Sequence, residues 1–313
     1  MAELFDRIIA VGGPTGSGKT SLAIKLAEMT GGEIVSCDSM QIYRSLDIGT
    51  AKPTPEELAS ARHWLIDIRE PYERYSVADY VADAREVISD INGRGLTAIV
   101  CGGTGLYMTS LLSGIRFSEE MPADSELREE LVRAASERGS GELLEEIASA
   151  DPEYAARLEP NDLKRIIRAV EIIRNGSTPS EQIRNSRGEG YPDAVKILVN
   201  CSSREVLYRR IEARCDSMME NGIVSEAREV YEHRDTYLTA CAAIGYKEFF
   251  GYFEGNRSLD DCLSYLKKAS RRYAKRQLTW FRRDPGFEQY YSDLMSPSQM
   301  AEDIISKKGE LIK

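Results

Sequence analysis

Residues 13 to 20 read GPTGSGKT, with Gly13, Gly18, Lys19 and Thr20 at the fixed positions of a G-x-x-x-x-G-K-[ST] loop and Pro14, Thr15, Gly16 and Ser17 between them. This spacing lets successive backbone N–H groups wrap phosphate oxygens. The lysine adds a point charge, and the Thr20 hydroxyl is placed to reach a Mg²⁺ ion, the expected cofactor. An apolar run, RIIAVGG, precedes the loop and a helical pattern follows it, which is the context the motif requires. The loop alone specifies a bound polyphosphate: ATP, GTP or a diphosphate of another kind.

Other residues point to chemistry at the same place. Asp38, in CDSMQIY, stands at the carboxyl end of the second apolar run, where open α/β sheets bind ligands, and a carboxylate there can accept a proton from a nucleophile. An aspartate that caps a turn, or orders Mg²⁺ through water, has the same signature. GGTGLY (102 to 107) puts the hydroxyl of Thr104 at the same rim. Arg210 and Arg214 lie four apart on one helical face and could clamp a leaving diphosphate or simply be solvated. Lys164, Arg165 and Arg168 form a basic ridge on another helix, which a solvated face explains equally well. KRQLTWFR (275 to 282) interleaves basic residues with Trp280 and Phe281, and Tyr246 and Lys247 lie upstream; the pattern suits base stacking with phosphate neutralisation, or equally an aromatic core face. TAIVC ends without the acidic residue that many P-loop ATPases carry, and WLID, ending at Asp67, is the one near match, so a motor-type ATPase is disfavoured.

The elements that must position these residues follow from periodicity. RIIAVGG, EIVSC, TAIVC (97 to 101) and AVKILVN (194 to 200) read as buried strands separated by amphipathic helices, so the expectation is a parallel sheet covered by helices. Ser76 and Asp79 form a capping box for a helix running to about Ile91. From about Arg116 to Glu189 helix follows helix, which reads as a helical insertion; Asn161 is the expected N-cap and Gly176 the stop for DLKRIIRAVEIIRN. Further helices are expected from Ser203 to Glu220 and from Ser258 to Arg283.

The 313-residue chain can bury a large core. Its six cysteines are scattered without a CxxC pair, and only His63 and His233 supply imidazoles, which disfavours structural zinc. The first residues lack a basic leader and an apolar stretch, and no run is long enough to span a bilayer, so a cytoplasmic protein without membrane attachment is expected. A net charge of −10 conceals segregation: the segment from Lys267 to Arg283 carries eight basic residues and no acid, while the stretch from Ser118 to Glu153 is acid-rich. An acidic protein can therefore still present a basic groove.

Taken in order, GPTGSGKT, DSMQIYRSLDIGTAKP, GGTGLY, PNDLKRIIRAVEI, YRRIEAR, IGYKE and KRQLTWFR resemble the tRNA dimethylallyltransferase family, the tRNA isopentenyltransferases or IPP transferases, over nearly the whole chain. The resemblance implies a P-loop NTPase-like parallel sheet flanked by helices, an α/β core formed by 1–115 and 190–313, and an all-helical lobe at 116–189 that contacts tRNA. It implies transfer of a dimethylallyl group from dimethylallyl diphosphate to N6 of adenosine 37, next to the anticodon, in tRNAs reading codons that begin with U. Thr15 to Thr20, with Gly13, Pro14 and Arg210, would hold the diphosphate. The adenine would be flipped from the anticodon stem-loop into the opposite mouth of a channel.

In that scheme Asp38 takes the N6 proton, with Arg214 and Thr104 completing the catalytic set. Lys19, Thr20, Arg214 and Mg²⁺ stabilise the departing diphosphate. Family contacts to tRNA map onto Asp38, Ser39, Met40, Gln41, Thr104, Arg128, Lys164, Arg165, Ile166, Ile167 and Arg168. They continue through 242–247, including Gly245, Tyr246 and Lys247, and through 275–282, including Lys275, Arg276, Gln277, Trp280 and Arg282. The chain departs from the family pattern at Arg62 to Asp67, where HHLID is common, at Ala242, where glutamine is common, and at Leu158-Glu159, where Ile-His is common. One chain carries every required part, so a monomer is expected. Two other enzymes share the loop and the aspartate: a P-loop small-molecule kinase and a prenyltransferase acting on free adenine nucleotides.

Overall fold

Short β-branched runs that alternate their side chains between two apolar layers form the centre of the fold. The computed structural model describes residues 7–115, 125–186 and 188–312. The first strand, β1 (Ile8–Gly12), leads through the glycine-rich loop into α1 (Lys19–Thr30). There follow β2 (Glu33–Ser36), α2 (Pro55–Ser60), β3 (His63–Trp64), α3 (Val77–Gly93), β4 (Ala98–Gly102) and α4 (Gly105–Leu112). A run of helices comes next: α5 (Ser125–Arg138), α6 (Gly141–Ala150), α7 (Pro152–Ala155), α8 (Leu163–Arg174) and α9 (Pro179–Asn185). The chain then re-enters the sheet as β5 (Val195–Asn200), continues through α10 (Arg204–Glu220), α11 (Ile223–Glu232), α12 (Phe250–Phe253) and α13 (Leu259–Phe281), and ends with β6 (Glu288–Tyr291) and α14 (Pro297–Ile312).

The strands form one sheet in the order β3-β2-β4-β1-β5-β6, and every pairing is parallel. Ile8 and Ala10 of β1 point into the cluster shared with α3, α4, α10 and α13, while Ile9 and Val11 point into the cluster with α1 and α14. Burial of each such side chain contributes roughly 1.5–3 kcal/mol, more than the ~1 kcal/mol span of β propensity, so coverage on both faces fixes these strands. The expected parallel sheet flanked by helices is therefore the fold. Because all strands run the same way, their carboxyl ends, and the loops that leave them, lie along one edge.

The chain divides into two compact units, Met1–Leu112 with Tyr191–Lys313, and Ser113–Gly190. The insertion expected at 116–189 lies inside the second unit, which contains only helical elements among its described residues. In the first unit the chain leaves and returns at one place, since the Tyr191 N–H donates to the carbonyl of Leu112 at 2.9 Å.

Several local expectations are met. The Ser76–Asp79 capping box opens α3, Ser203 caps α10, and Gly176 takes a left-handed φ of 83° just beyond α8. Others are corrected. The N-cap of α8 is Asp162 rather than Asn161, because its carboxylate accepts the Arg165 N–H. The strand around WLID ends at Trp64, Leu65 and Asp67 have left-handed φ of 61° and 55°, and the Asp67 carboxylate pairs with buried Lys52. β6 and α14 lack a legible signal, since Glu288–Tyr291 is short and half polar.

Candidate active site

Gly18, at φ 83°, begins α1 without a side-chain cap, whereas α2, α3, α10 and α13 each begin on a Ser or Thr that accepts a backbone N–H. The first turn of α1 therefore offers backbone donors with no intrahelical acceptor, at the positive end of the helix dipole. Ser17 Oγ is buried and has no hydrogen-bond partner among the described residues, so a phosphate oxygen here would satisfy it. Lys19 is half-buried beside these donors with its Nζ 3.5 Å from the Pro14 carbonyl. Burial pushes its ammonium below the ordinary lysine value; nearby Cys101 opposes this, Arg214 adds to it and Asp38 opposes it.

Arg214, from α10, supplies a second cation. One guanidinium nitrogen donates to Thr15 Oγ1 at 3.0 Å and another to the Ala51 carbonyl at 3.2 Å. Burial pulls Arg214 below its ordinary value and the Asp38 charge holds it up. Two partly desolvated cations beside one phosphate-type loop favour a polyanion, because burial has cost each of them part of its hydration. Arg210 has a different task. Its guanidinium donates to Ser292 Oγ at 2.7 Å and to the Ser292 carbonyl at 3.3 Å, and Ser292 lies against Gly18. Arg210 thus braces the loop, and only Arg214 of the pair bonds it.

Asp38 follows β2 at the same edge. Its Oδ1 accepts the N–H groups of Met40 at 2.9 Å and Gln41 at 3.4 Å, so the turn-capping role is present. Both bonds fall on Oδ1, which leaves Oδ2 for a substrate proton. Thr104, at the exit of β4, accepts the Ser39 N–H at 3.1 Å, and its own N–H reaches the Cys37 carbonyl at 3.2 Å. Tyr273 of α13 completes the cluster. Its phenol is pushed up by burial and by the charge of Asp38, while a hydrogen bond with Thr104 acts the other way. Nothing in the sequence singles Tyr273 out, since it lies in a helix between motifs.

The carboxyl-terminal end of α13 lies across this edge. Phe281 seats on Gly12, Gln277 on Gly103 and Trp280 on Gly105, and a Cβ added at any of the three glycines would fall within 2.5 Å of the seated side chain. Gln277 accepts the Thr15 N–H and donates to the Gly103 carbonyl, both at 2.9 Å. Lys275 and Arg276 occupy the exposed side of the same helix, and Arg282, its C-cap, is exposed as well.

Several residues assigned to tRNA contact from the sequence are corrected by burial. Tyr246 is fully buried, its ring packs on Gly49, and its hydroxyl donates to Glu226 at 2.8 Å. Gly245 is buried beside it with φ 111°. Gln277 is 5% exposed and bonded at both ends. Gln41 is only half-buried; its amide donates to the Thr50 and Ala51 carbonyls, and its oxygen accepts from Ser36. Lys247 is exposed, with Nζ on the Ala242 carbonyl. In the helical unit, Ile166 and Ile167 lie in a core with Leu131, Leu143 and Ile147. The exposed face of α8 carries Lys164, Arg165 and Arg168. Arg128 and Arg168 meet on the buried carboxylate of Glu171, at 3.0 and 3.3 Å.

A family model described as IPP transferase matches residues 41–284. The chain belongs to the IPP transferase family. Among curated IPP transferase relatives, the tRNA dimethylallyltransferase of Geobacillus thermodenitrificans is 42% identical over 298 residues, which cover 95% of this chain and 94% of that one. The tRNA dimethylallyltransferase of Bacillus subtilis is 44% identical over 276 residues, covering 88% and 87%. The solved tRNA isopentenylpyrophosphate transferase of Bacillus halodurans superposes with a TM-score of 0.72 at 38% identity, covering 98% of each chain. A eukaryotic dimethylallyltransferase acting on tRNA superposes with a TM-score of 0.83 at 26% identity, covering 97% of this chain and 79% of that one. The IPP transferase resemblance read from seven motifs thus stands, as a family and as a prenyl-transferring enzyme.

Proposed function

We propose that this enzyme transfers the dimethylallyl group of dimethylallyl diphosphate to N6 of adenosine 37, beside the anticodon, in tRNAs reading codons that begin with U, and releases diphosphate. The observation that carries the reading is Arg214 bonded to Thr15 Oγ1 next to half-buried Lys19, with the charge of Asp38 acting on both cations. Such a site stabilises a diphosphate that leaves with growing negative charge.

The exocyclic amine of adenine is a weak nucleophile because its lone pair is delocalised into the ring. The N6–C1 bond forms as the allylic C1–O bond breaks. The N6 proton passes to Asp38 Oδ2, and the C1–O electrons leave with the diphosphate. Lys19, Arg214, Ser17 Oγ and the first-turn N–H groups of α1 hold that charge in place. Thr104 and Tyr273 fix the rim next to Asp38 and exclude water from the allylic cation.

Mg²⁺ fits this arrangement in a limited way. No three His, Cys, Asp or Glu side chains converge on a point among the described residues, so the ion would be held by diphosphate oxygens and the Thr20 hydroxyl. When bound it would neutralise charge on the leaving group.

We assign tRNA contacts to each unit by itself: Lys247, Lys275, Arg276 and Arg282 in the sheet-containing unit, and Arg128, Lys164, Arg165 and Arg168 in the helical unit. Only the anticodon stem-loop need be gripped, so local basic surfaces suffice on a chain of net charge −10. No described helix is long and apolar enough to cross a membrane, and all six cysteines are free thiols. The deciding experiment is nucleoside analysis of tRNA after incubation with dimethylallyl diphosphate. N6-prenyl adenosine at the anticodon loop supports the reading; its absence, with prenylated AMP or a phosphorylated small molecule instead, sinks it.

A further inference from the structure

Glu226 lies one turn into α11, outside the motifs that carry the chemistry, yet its carboxylate collects four donors. Oε2 accepts the N–H groups of Asp47 and Ile48, each at 2.9 Å, and Oε1 accepts the Gly49 N–H and the Tyr246 hydroxyl, each at 2.8 Å. Three successive backbone N–H groups on one carboxylate fix the path of the loop that follows Leu46. The loop needs such a fix, because Ser45 and Ala51 at its two ends adopt left-handed φ of 60° and 52° without being glycine.

The carbonyl that emerges from this loop is the one the active site uses. Ala51 O accepts Arg214 at 3.2 Å and the Gln41 amide at 3.0 Å. Arg214 then reaches Thr15 Oγ1 with its other nitrogen, and Gln41 is the second residue whose N–H rests on Asp38 Oδ1. A two-ended guanidinium points where its two acceptors dictate. A shift of Ala51 O by a fraction of an ångström therefore swings the charge away from the leaving group.

We propose that Glu226 is a positioning residue for diphosphate departure: by holding residues 47–49 it aims Arg214 at the phosphate loop from behind the site. This rests on the prenyl-transfer reading above. Glu226→Gln keeps the side chain's shape but replaces one carboxylate oxygen by an NH₂ that cannot accept, so either the Asp47 and Ile48 pair or the Gly49 and Tyr246 pair loses its acceptor.

The test is a double-mutant cycle of Glu226→Gln with Arg214→Ala, read as the dissociation constant for inorganic diphosphate and as kcat and KM in tRNA prenylation. In the wild-type background Glu226→Gln is expected to weaken diphosphate binding and raise the donor KM by about tenfold, with the KM for tRNA within about twofold. In the Arg214→Ala background the same substitution is expected to have no further effect. Additive losses, equal losses in both KM values, or wild-type behaviour each overturn the proposal. Should Glu226→Gln fail to fold, Tyr246→Phe, which removes one donor of four, takes its place in the cycle with a smaller shift of the same pattern. Wild-type protein that binds diphosphate yet leaves tRNA unmodified would refute the reaction and not the positioning, since the binding arm of the cycle still reports on Glu226.

Discussion

The Gln277 side chain joins α13 to Thr15 of the phosphate loop, accepting its N–H at 2.9 Å, and to Gly103 at the exit of β4, donating to its carbonyl at 2.9 Å. One buried amide therefore ties together the glycine-rich loop, the turn that carries Thr104, and the helix that carries Lys275 and Arg276 and ends at Arg282. Residues 15 and 277 are 262 positions apart in the chain.

Gln277→Leu leaves the half-buried Thr15 N–H and the buried Gly103 carbonyl without their side-chain partner. The expected result is an increase of about tenfold in KM for dimethylallyl diphosphate, from the loss of buried hydrogen bonds of ~1–3 kcal/mol. Affinity for tRNA alone, measured by filter binding, is expected to stay within about threefold, because the exposed basic residues of α13 are unchanged.

Asp38 caps a turn through Oδ1 and, in the proposed reaction, takes the substrate proton on Oδ2, so removal of the whole side chain confounds two roles. Asp38→Asn separates them, since its amide oxygen still accepts the Met40 N–H while the base is gone. Single-turnover prenylation is expected to slow by about 10²–10⁴-fold, with tRNA affinity within a few-fold. Near-wild-type turnover would remove Asp38 as the base.

How much was legible in the sequence follows from the range over which each feature acts. GPTGSGKT, the Ser76 capping box and the one-face spacing of Arg210 and Arg214 are local, and the structure contains them as read. The division of labour between those two arginines was not legible, because it depends on Ser292 and Ala51, far away in sequence. Tyr246 and Gln277 sit in motifs that suit RNA contact as well as core packing. Only the assembled fold shows Gly49 filling against one and Gly103 against the other. Glu171 and Glu226 carried no signal, since a glutamate on an amphipathic helix is ordinarily a solvated one.

Arg168 shares the carboxylate of Glu171 with Arg128, so two cations stand over one acid in the helical unit. Arg168→Glu reverses that balance. Binding of tRNA is expected to weaken, and the slope of log K against log salt to fall by about one. Unchanged affinity across a salt titration would refute a phosphate contact there.

Glu33 fastens β3 to β2 and to α3. Both carboxylate oxygens take Arg94 at 2.7 Å, and Oε2 also accepts the indole N–H of Trp64 at 2.8 Å. The Arg94 hydrogen bonds hold the carboxyl below its ordinary value, against burial and with help from Trp64. A carboxyl depressed in the folded state contributes stability that is full above its unfolded value of about 4.3 and is lost as pH falls through the folded value. Glu33→Gln is therefore expected to lower Tm by a few degrees at neutral pH. The gap from wild type should close as thermal melts are repeated below about pH 4.

The hydrogen bond between Tyr191 and Leu112 has a consequence for how the molecule can be taken apart. The two ends of the inserted unit stand side by side, and the sheet on either side of them is complete without it. A short turn could bridge that seam. The inserted unit is thus the removable part, with the glycine-rich loop, Asp38, Arg214 and α13 all on the retained chain.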